Sequence, residues 1–181
     1  MNFIIIGLPN VGKTSIYNLI TDNDFNIIHK TTGTTRDWHK STLIENENIK
    51  IYDTPGIIFN KKNIINKNLT NLIKKIDIFL YVIDYKNKNY LNDKELLNNI
   101  RKYNKEIILI INKDDNYDQN KDLNNLGISK NYYISCSHKL GITELIQDIS
   151  KYNLKNIINN EKSIDFSIAI YGKTNVGKST L

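Results

Sequence analysis

The segment GLPNVGKT, from Gly7 to Thr14, matches the spacing G-x-x-x-x-G-K-[ST]. Glycines let the backbone curl with its N–H groups inward, and a helix N-terminus behind such a curl completes an anion site. Lys13 adds a positive charge beside the outer phosphates of a nucleotide, and the Thr14 hydroxyl can bind Mg²⁺. An ordinary glycine turn is the alternative, but the pattern recurs near the end of the chain. We therefore predict two nucleotide phosphate loops.

The two loops are expected to contact nucleotide through consecutive residues. The first set is Gly7, Leu8, Pro9, Asn10, Val11, Gly12, Lys13, Thr14 and Ser15. The second set, in the segment GKTNVGKS, is Gly172, Lys173, Thr174, Asn175, Val176, Gly177, Lys178 and Ser179.

A second motif, DTPG, follows an apolar run and begins at Asp53. An acidic residue at a strand end can hold the water shell of Mg²⁺, and the Gly56 N–H can contact the terminal phosphate. Alone, this tetrapeptide would be an ordinary β-turn. Its distance from a phosphate loop favours the nucleotide role. The contacts predicted here are Asp53, Thr54, Pro55, Gly56 and Ile57.

A third motif, NKDD, directly follows the apolar run EIILII. The Asp115 carboxylate can accept hydrogen bonds from N1–H and the 2-amino group of guanine, a donor pair that adenine lacks, so Asp115 predicts GTP over ATP. Asn112 is expected to brace the phosphate loop and Lys113 to lie along the base. Backbone N–H groups in the later segment ISCS are expected to face the guanine O6. The predicted contacts are Asn112, Lys113, Asp114, Asp115, Ser135 and Cys136.

The segment TTGTTRD lies between the phosphate loop and DTPG. Thr35, or Thr34, can complete the Mg²⁺ shell and close over the terminal phosphate. Glycine and threonine suit a loop that orders with GTP and relaxes after hydrolysis. Arg36 is either a catalytic cation or, as we favour, a surface ion-pair partner of Asp37.

Alternating apolar runs and helical patterns predict the elements that hold these motifs. Near-continuous apolar strands suit a parallel sheet covered on both faces. The strands are predicted at 2–6, 49–53, 78–84, 106–112 and 132–135, with an antiparallel edge strand at 40–46. Helices are predicted at 13–21, 68–76, 92–103 and 141–152. The expected fold is a three-layer α/β sandwich with a mostly parallel sheet.

The repeat of the phosphate loop predicts two domains. Residues 1–152 form the first, the polar stretch 153–164 is a linker, and 165–181 begin a second, truncated domain. The net charge of +6 is compatible with a nucleic-acid partner, but we favour the simpler interpretation that it follows from a lysine-rich composition. With a single cysteine, no signal peptide and no membrane span, the sequence predicts a monomeric cytoplasmic protein.

Taken in order, the motifs GLPNVGKT, GTTRD, DTPG, NKDD and SCS resemble the GTPase branch that contains Era, MnmE and Der (EngA), and the paired loops resemble the tandem G domains of the Der family. The resemblance implies GTP hydrolysis with Mg²⁺ during assembly of the large ribosomal subunit, with ribosomal RNA as partner. It also implies catalytic roles for Asn10, Lys13, Thr35 and Gly56. Mg²⁺ is expected at Thr14, Thr35 and Asp53, and K⁺ at Asn10.

Ile57 follows DTPG, where many small GTPases carry a glutamine that orients the attacking water. An aliphatic side chain cannot do this, so hydrolysis must use other groups or wait for a partner. The alternatives are a GTP-binding module with slow turnover and an Era-like or MnmE-like role in rRNA or tRNA metabolism.

Overall fold

The computed structural model describes residues 1–21, 27–29, 38–54, 67–87, 89–118 and 123–161. The strands are β1 (Asn2–Gly7), β2 (Ile27–His29), β3 (Trp38–Leu43), β4 (Asn46–Asp53), β5 (Ile78–Asp84), β6 (Glu106–Asn112) and β7 (Asn131–Tyr133). The α-helices are α1 (Lys13–Ile20), α2 (Lys67–Lys75), α3 (Leu91–Arg101) and α4 (Ile142–Glu161), and a short 3₁₀ helix spans Asn124–Leu126.

The described strands form one sheet in the order β2-β3-β4-β1-β5-β6-β7. Pairing is parallel from β4 through β1, β5 and β6 to β7, and antiparallel between β3 and β4 and between β2 and β3. The predicted α/β sandwich with a mostly parallel sheet is therefore confirmed. The antiparallel edge is two strands wide, because β2 pairs outside β3.

Alternate residues of each central strand pack against opposite helical layers. In β1, Phe3 and Ile5 belong to a core that includes Ile16 of α1 and Leu145 of α4. Their neighbours Ile4 and Ile6 pack in a second core with the helices α2 and α3. Burial on both faces explains why these strands are apolar at nearly every position.

The last described helix, α4, runs to Glu161, nine residues beyond its predicted end at 152. The residues 153–161, which the polar composition assigns to a linker, thus continue the helical backbone. The domain division itself stays a prediction, because residues 162–181 lie outside the described part of the chain.

Parallel pairing places the motif-bearing strand ends at one edge of the sheet. Gly7 pairs with Val82 and Asp84 with Asn112, so the carboxyl ends of β1, β5 and β6 are neighbours. In open parallel sheets this edge is where ligands bind. No helix in the described ranges has the length and apolar character required to cross a membrane.

Candidate nucleotide-binding site

Two positions of the phosphate loop have no room for a side chain. A Cβ at Gly7 would lie 2.4 Å from the carbonyl oxygen of Val82, which is backbone and cannot swing away. A Cβ at Gly12 would lie 2.2 Å from Asn112 Nδ2, and its φ of +96° is left-handed. Asn10 also has a positive φ, of 64°. The loop is therefore curled tightly against the ends of β5 and β6 before α1 begins.

Lys13 is buried at the first position of α1, and its Nζ donates a hydrogen bond to the Leu8 carbonyl at 2.6 Å. Burial lowers the pKa of this ammonium to about 8, although the nearby Asp53 charge opposes the shift. A phosphate oxygen is a stronger acceptor for an ammonium than a neutral carbonyl is. The lysine is therefore placed to exchange the Leu8 carbonyl for a phosphate.

The next residue links the phosphate loop to the second motif. Thr14 Oγ1 donates to Asp53 Oδ2 at 2.8 Å. Asp53 is buried, its Oδ1 has no hydrogen-bond partner among the described residues, and burial raises the pKa of the carboxyl. Mg²⁺ prefers hydroxyl and carboxylate oxygens, often through water. The orphaned oxygen and the adjacent hydroxyl thus fit the predicted Mg²⁺ site.

Thr54 serves the scaffold through its side chain. Its Oγ1 is buried and donates to the Ile5 carbonyl at 2.8 Å. This bond ties the chain after β4 to β1, so the hydroxyl is directed into the sheet.

A cavity of about 540 Å³ lies at the carboxyl edge of the sheet. This volume is in the usual range for small-molecule sites. It is lined by Gly12, Ser15, Asn18, Leu19, Lys86, Asn112, Lys113, Asp115, Cys136 and Ser137. Residues of the phosphate loop, NKDD and SCS therefore share one cavity, although 101 residues separate Val11 from Asn112.

Asn112 connects two of these segments. Its Nδ2 donates to the Val11 carbonyl at 2.9 Å, which is the bracing contact that the sequence predicts. Its Oδ1 accepts the Cys136 N–H at 3.3 Å. One buried amide thus sets the distance between the phosphate loop and the loop after β7.

The Lys113 ammonium connects two segments of the chain. Its Nζ donates to the Asn10 carbonyl at 2.9 Å and pairs with Asp84 Oδ2 at 2.6 Å. The lysine therefore joins the phosphate loop to the end of β5, and its contact with the base stays a prediction.

Asp115 is the most extensively bonded carboxylate in the cavity. Its Oδ1 accepts Ser135 Oγ at 2.8 Å and Ser137 Oγ at 3.0 Å, and its Oδ2 accepts Lys86 Nζ at 2.7 Å. The lysine and the two hydroxyls hold the pKa of the carboxyl well below its usual range, so it is ionised at neutral pH. An ionised carboxylate is the form that accepts the guanine N–H pair.

Asp114, although adjacent, faces the protein. It is fully buried, and its carboxylate accepts the Asp118 N–H at 3.1 Å. Its own N–H donates to the Ile134 carbonyl at 3.2 Å. Asp114 therefore stabilises the turn, whereas Asp115 is the residue that lines the cavity.

The Ser135 N–H, which the sequence predicts to face guanine O6, makes a hydrogen bond within the protein in this structure. That N–H donates to the Leu140 carbonyl at 3.1 Å, and the Leu140 N–H returns a bond to the Ser135 carbonyl at 3.0 Å. The reciprocal pair closes the loop after β7 and uses the backbone donor. Ser135 contributes through its hydroxyl, which holds Asp115. Cys136 is half-buried against the core, and burial raises the pKa of its thiol to about 11, as expected for a small hydrophobic residue.

Sequence reasoning missed Lys86 and Ser137, which line the cavity and bond to Asp115, and Asp84, which pairs with the cavity residue Lys113. The available signal was position, because Asp84 ends β5 and Lys86 lies two residues further on, and β5 lies between the motif-bearing strands β1 and β6. Asn18, which is exposed, and Leu19, which is half-buried against the core, also line the cavity from α1 and carry no motif.

Some predicted site residues lie outside the described residues. They are Thr34, Thr35 and Arg36, then Pro55, Gly56 and Ile57, and the second loop at 172–179. Their roles stay predictions. In the part of the chain that the structure describes, no group of three His, Cys, Asp or Glu side chains is arranged to hold a metal ion.

Comparison with known proteins identifies the family to which the chain belongs. A family model described as "50S ribosome-binding GTPase" matches residues 2–113. The chain is 36% identical over 186 residues to the GTPase Der of Borrelia garinii subsp. bavariensis, covering 98% of this chain and 42% of that protein. It is likewise 36% identical to the GTPase Der of Mycoplasma capricolum subsp. capricolum, with the same coverage. The chain thus spans about two fifths of the length of these relatives.

Solved structures confirm the fold. The G domain of the Thermotoga maritima FeoB iron transporter superposes with a TM-score of 0.63 at 23% identity, covering 84% of this chain and 98% of that one. A point variant of Aquifex aeolicus Era, bound to GDP and AlF₄⁻, gives a TM-score of 0.58 at 27% identity, covering 83% and 56%. The motif order, the cavity and the matched family model together show that the chain belongs to the 50S ribosome-binding GTPase family, within which it is similar to GTPases named Der.

Proposed function

We propose that the chain binds GTP, hydrolyses it to GDP and phosphate, and acts as a switch in the assembly of the large ribosomal subunit. The observation that carries this proposal is the shared cavity, which Gly12 and Ser15 of the phosphate loop line together with Asp115. One nucleotide placed in that cavity reaches both a phosphate cradle and a guanine-selective carboxylate.

Guanine selection follows from the state of Asp115. An ionised carboxylate accepts the N1–H and 2-amino donors of guanine, whereas adenine has no matching donor pair. Adenine would leave a partly buried carboxylate without these hydrogen bonds, which costs orders of magnitude in discrimination. Selection of GTP over ATP therefore depends on the two serine hydroxyls that hold Asp115 in place.

The phosphates are expected at the start of α1. The N–H groups of the curled loop and the helix N-terminus stabilise their negative charge. Lys13 exchanges the Leu8 carbonyl for a phosphate oxygen. Thr14 and Asp53 would hold Mg²⁺, which neutralises charge that develops on the phosphates during hydrolysis. Thr35 and Gly56 are proposed to close over the terminal phosphate.

Three further features of the proposal come from the sequence and the family. Asn10 is proposed to hold K⁺ beside the phosphates. Residues 165–181 are proposed to begin a second G domain after a linker at 153–164, as in the tandem arrangement that the motifs resemble. The chain is proposed to act as a cytoplasmic monomer. The matched description, "50S ribosome-binding GTPase", supports the ribosomal partner, and the net charge of +6 suits a contact with RNA phosphates.

Titration calorimetry of the full chain with Mg²⁺ tests nucleotide choice. GDP is expected to bind and ADP to fail at the same concentration, whereas Asp115→Asn should shift the preference from GDP toward xanthosine diphosphate. Steady-state phosphate release from GTP should occur in the intact chain and be lost in Lys13→Ala. Equal binding of ADP would overturn the guanine assignment, and release equal to that of Lys13→Ala would reduce the chain to a binding module.

Cosedimentation with isolated large ribosomal subunits tests the partner. Binding is expected with a non-hydrolysable GTP analogue, to weaken with GDP, and to fall steeply as salt rises. Binding that depends on neither the bound nucleotide nor the salt concentration would contradict the ribosomal role. A preference for free tRNA over the ribosomal subunit would favour an MnmE-like function.

A further inference from the structure

Lys86 forms an ion pair with the carboxylate of Asp115, which is expected to recognise guanine. Its Nζ lies 2.7 Å from Asp115 Oδ2, with the two side chains 64% and 29% exposed. The Lys86 N–H donates to Asp84 Oδ1 at 2.8 Å, so a turn directly after β5 brings the lysine to the cavity. Both Lys86 and Asp115 line that cavity. The ion pair therefore lies where the base is expected to bind.

The acceptor positions of Asp115 are nearly all in use. An ionised carboxylate has about four lone-pair positions, two on each oxygen. Among the described residues, Ser135 and Ser137 use Oδ1 and Lys86 uses Oδ2. About one position remains, whereas guanine brings two donors. At least one of the three present donors must withdraw before guanine can pair.

Lys86 is the donor best able to withdraw. Ser135 is fully buried, and Ser137, although exposed, has a short side chain whose hydroxyl also lies 3.0 Å from that of Ser135. The Lys86 side chain is long and mostly exposed, so water can solvate its ammonium when the bond to Oδ2 breaks. Lys86 is also the one described residue whose departure opens Oδ2.

We propose that Lys86 competes with guanine for Asp115 and thereby lowers the affinity of the site for guanine nucleotides. This inference rests on the proposed guanine-nucleotide function. It assigns to Lys86 a specificity-determining role, because guanine must break the ion pair between Lys86 and Asp115 Oδ2 in order to bind that carboxylate.

Inosine diphosphate separates this competition from a general effect of charge. Hypoxanthine has N1–H but no 2-amino group, so the one remaining acceptor position is sufficient for it. GDP and IDP carry the same phosphates, so any attraction between Lys86 and the phosphates acts equally on both. Removing Lys86 should therefore strengthen GDP binding and leave IDP binding nearly unchanged.

The experiment is titration calorimetry of the full chain with Mg²⁺ and either GDP or IDP. Lys86→Met, which keeps the length of the side chain without its charge, is expected to bind GDP about two- to fivefold more tightly, the range that an exposed ion pair supports. IDP affinity should stay at the wild-type value. Lys86→Arg should behave as wild type for both, because it keeps the ion pair. Lys102→Met, just after α3, is the matched control, since it removes one exposed charge outside the cavity.

The possible results separate the two claims. A wild-type chain that binds no GDP overturns the proposed function and this inference with it. If the wild type binds GDP, the inference is overturned when Lys86→Met leaves GDP affinity unchanged, weakens it, or shifts GDP and IDP equally. A GDP-selective gain in Ser137→Ala but not in Lys86→Met also overturns it, because Ser137 would then be the donor that withdraws.

Discussion

Thr14 Oγ1 donates a 2.8 Å hydrogen bond to Asp53 Oδ2, which joins the start of α1 to the carboxyl end of β4. The second oxygen of the same carboxylate is buried and has no partner among the described residues. An unpaired buried oxygen carries a desolvation cost that a bound cation would remove. The pair is therefore arranged to gain from a metal ion.

Asp53→Asn is expected to remove the Mg²⁺-dependent part of GTP affinity. The amide keeps the size of the side chain but lacks the charge that attracts the ion, so GTP affinity in Mg²⁺ should fall by about tenfold or more. GDP affinity in EDTA should change little. Calorimetry with and without Mg²⁺ measures both, and Thr14→Ser, which keeps the hydroxyl, serves as control. If Mg²⁺ raises the GTP affinity of Asp53→Asn as much as that of the wild type, the proposed Mg²⁺ site is contradicted.

Binding of GDP should take up protons near pH 8. Burial lowers the pKa of Lys13 to about 8 in the free site, and bound phosphates favour the ammonium and raise it. At pH 8 the lysine is about half protonated when free and fully protonated when bound, so uptake should be about half a proton per GDP. Uptake should vanish near pH 6.5, and GDP affinity should decline as pH rises above 8.

Calorimetry at pH 8 in buffers of different ionisation enthalpy measures this uptake. The arginine in Lys13→Arg stays charged at every pH used, so GDP binding to this variant should involve no proton uptake at position 13. Uptake of the same size in Lys13→Arg would show that another group titrates.

Gly12→Ala and Gly127→Ala should distinguish an effect on nucleotide binding from an effect on folding stability alone. Both glycines have left-handed φ values, of +96° and +62°. The Cβ at Gly12 would displace Asn112 from the Val11 carbonyl, so we expect a loss of about 1–3 kcal/mol in the free energy of unfolding and at least tenfold weaker GDP binding. At Gly127 the Cβ would lie 3.2 Å from the flexible end of Arg101.

Gly127→Ala should therefore cost about 1 kcal/mol in stability and leave GDP affinity unchanged. Urea unfolding and calorimetry on both variants provide the comparison. Full GDP affinity in Gly12→Ala would show that the Asn112 contact is dispensable for the nucleotide.

Hydrolysis should be faster in K⁺ than in Na⁺ if Asn10 holds a potassium ion. Asn10 has a φ of 64°, so Asn10→Gly removes the side-chain oxygen and keeps the backbone conformation at little cost. A well-placed positive charge beside the phosphates supports about tenfold or more in rate. Steady-state phosphate release in the two salts should show this preference in the wild type and lose it in Asn10→Gly. Equal rates in Na⁺ and K⁺ would remove the hypothesis.

Much of the fold could be predicted because its signals are local. The apolar runs at 78–84 and 106–112 coincide with β5 and β6, since strands buried on both faces must be apolar throughout. The short strand β2 was missed, because three residues carry too little pattern to stand out. The end of α4 was also missed, because a polar, asparagine-rich stretch resembles a linker although its backbone is helical to Glu161.

The sequence by itself determined the phosphate loop, the acidic residue at the end of β4 and the carboxylate after β6, because each depends on residue types a few positions apart. The tertiary structure decided which groups bond to one another and which exclude one another. Lys86 pairs with Asp115, and the Ser135 N–H donates to the Leu140 carbonyl. Asn112 leaves no space for a Cβ at Gly12. The contacts of Lys86 with Asp115 and of Asn112 with Gly12 join chain segments that only the order of the strands brings together. Hydrogen-bond partners and steric limits arise from distances in space, which residue spacing along the chain does not encode.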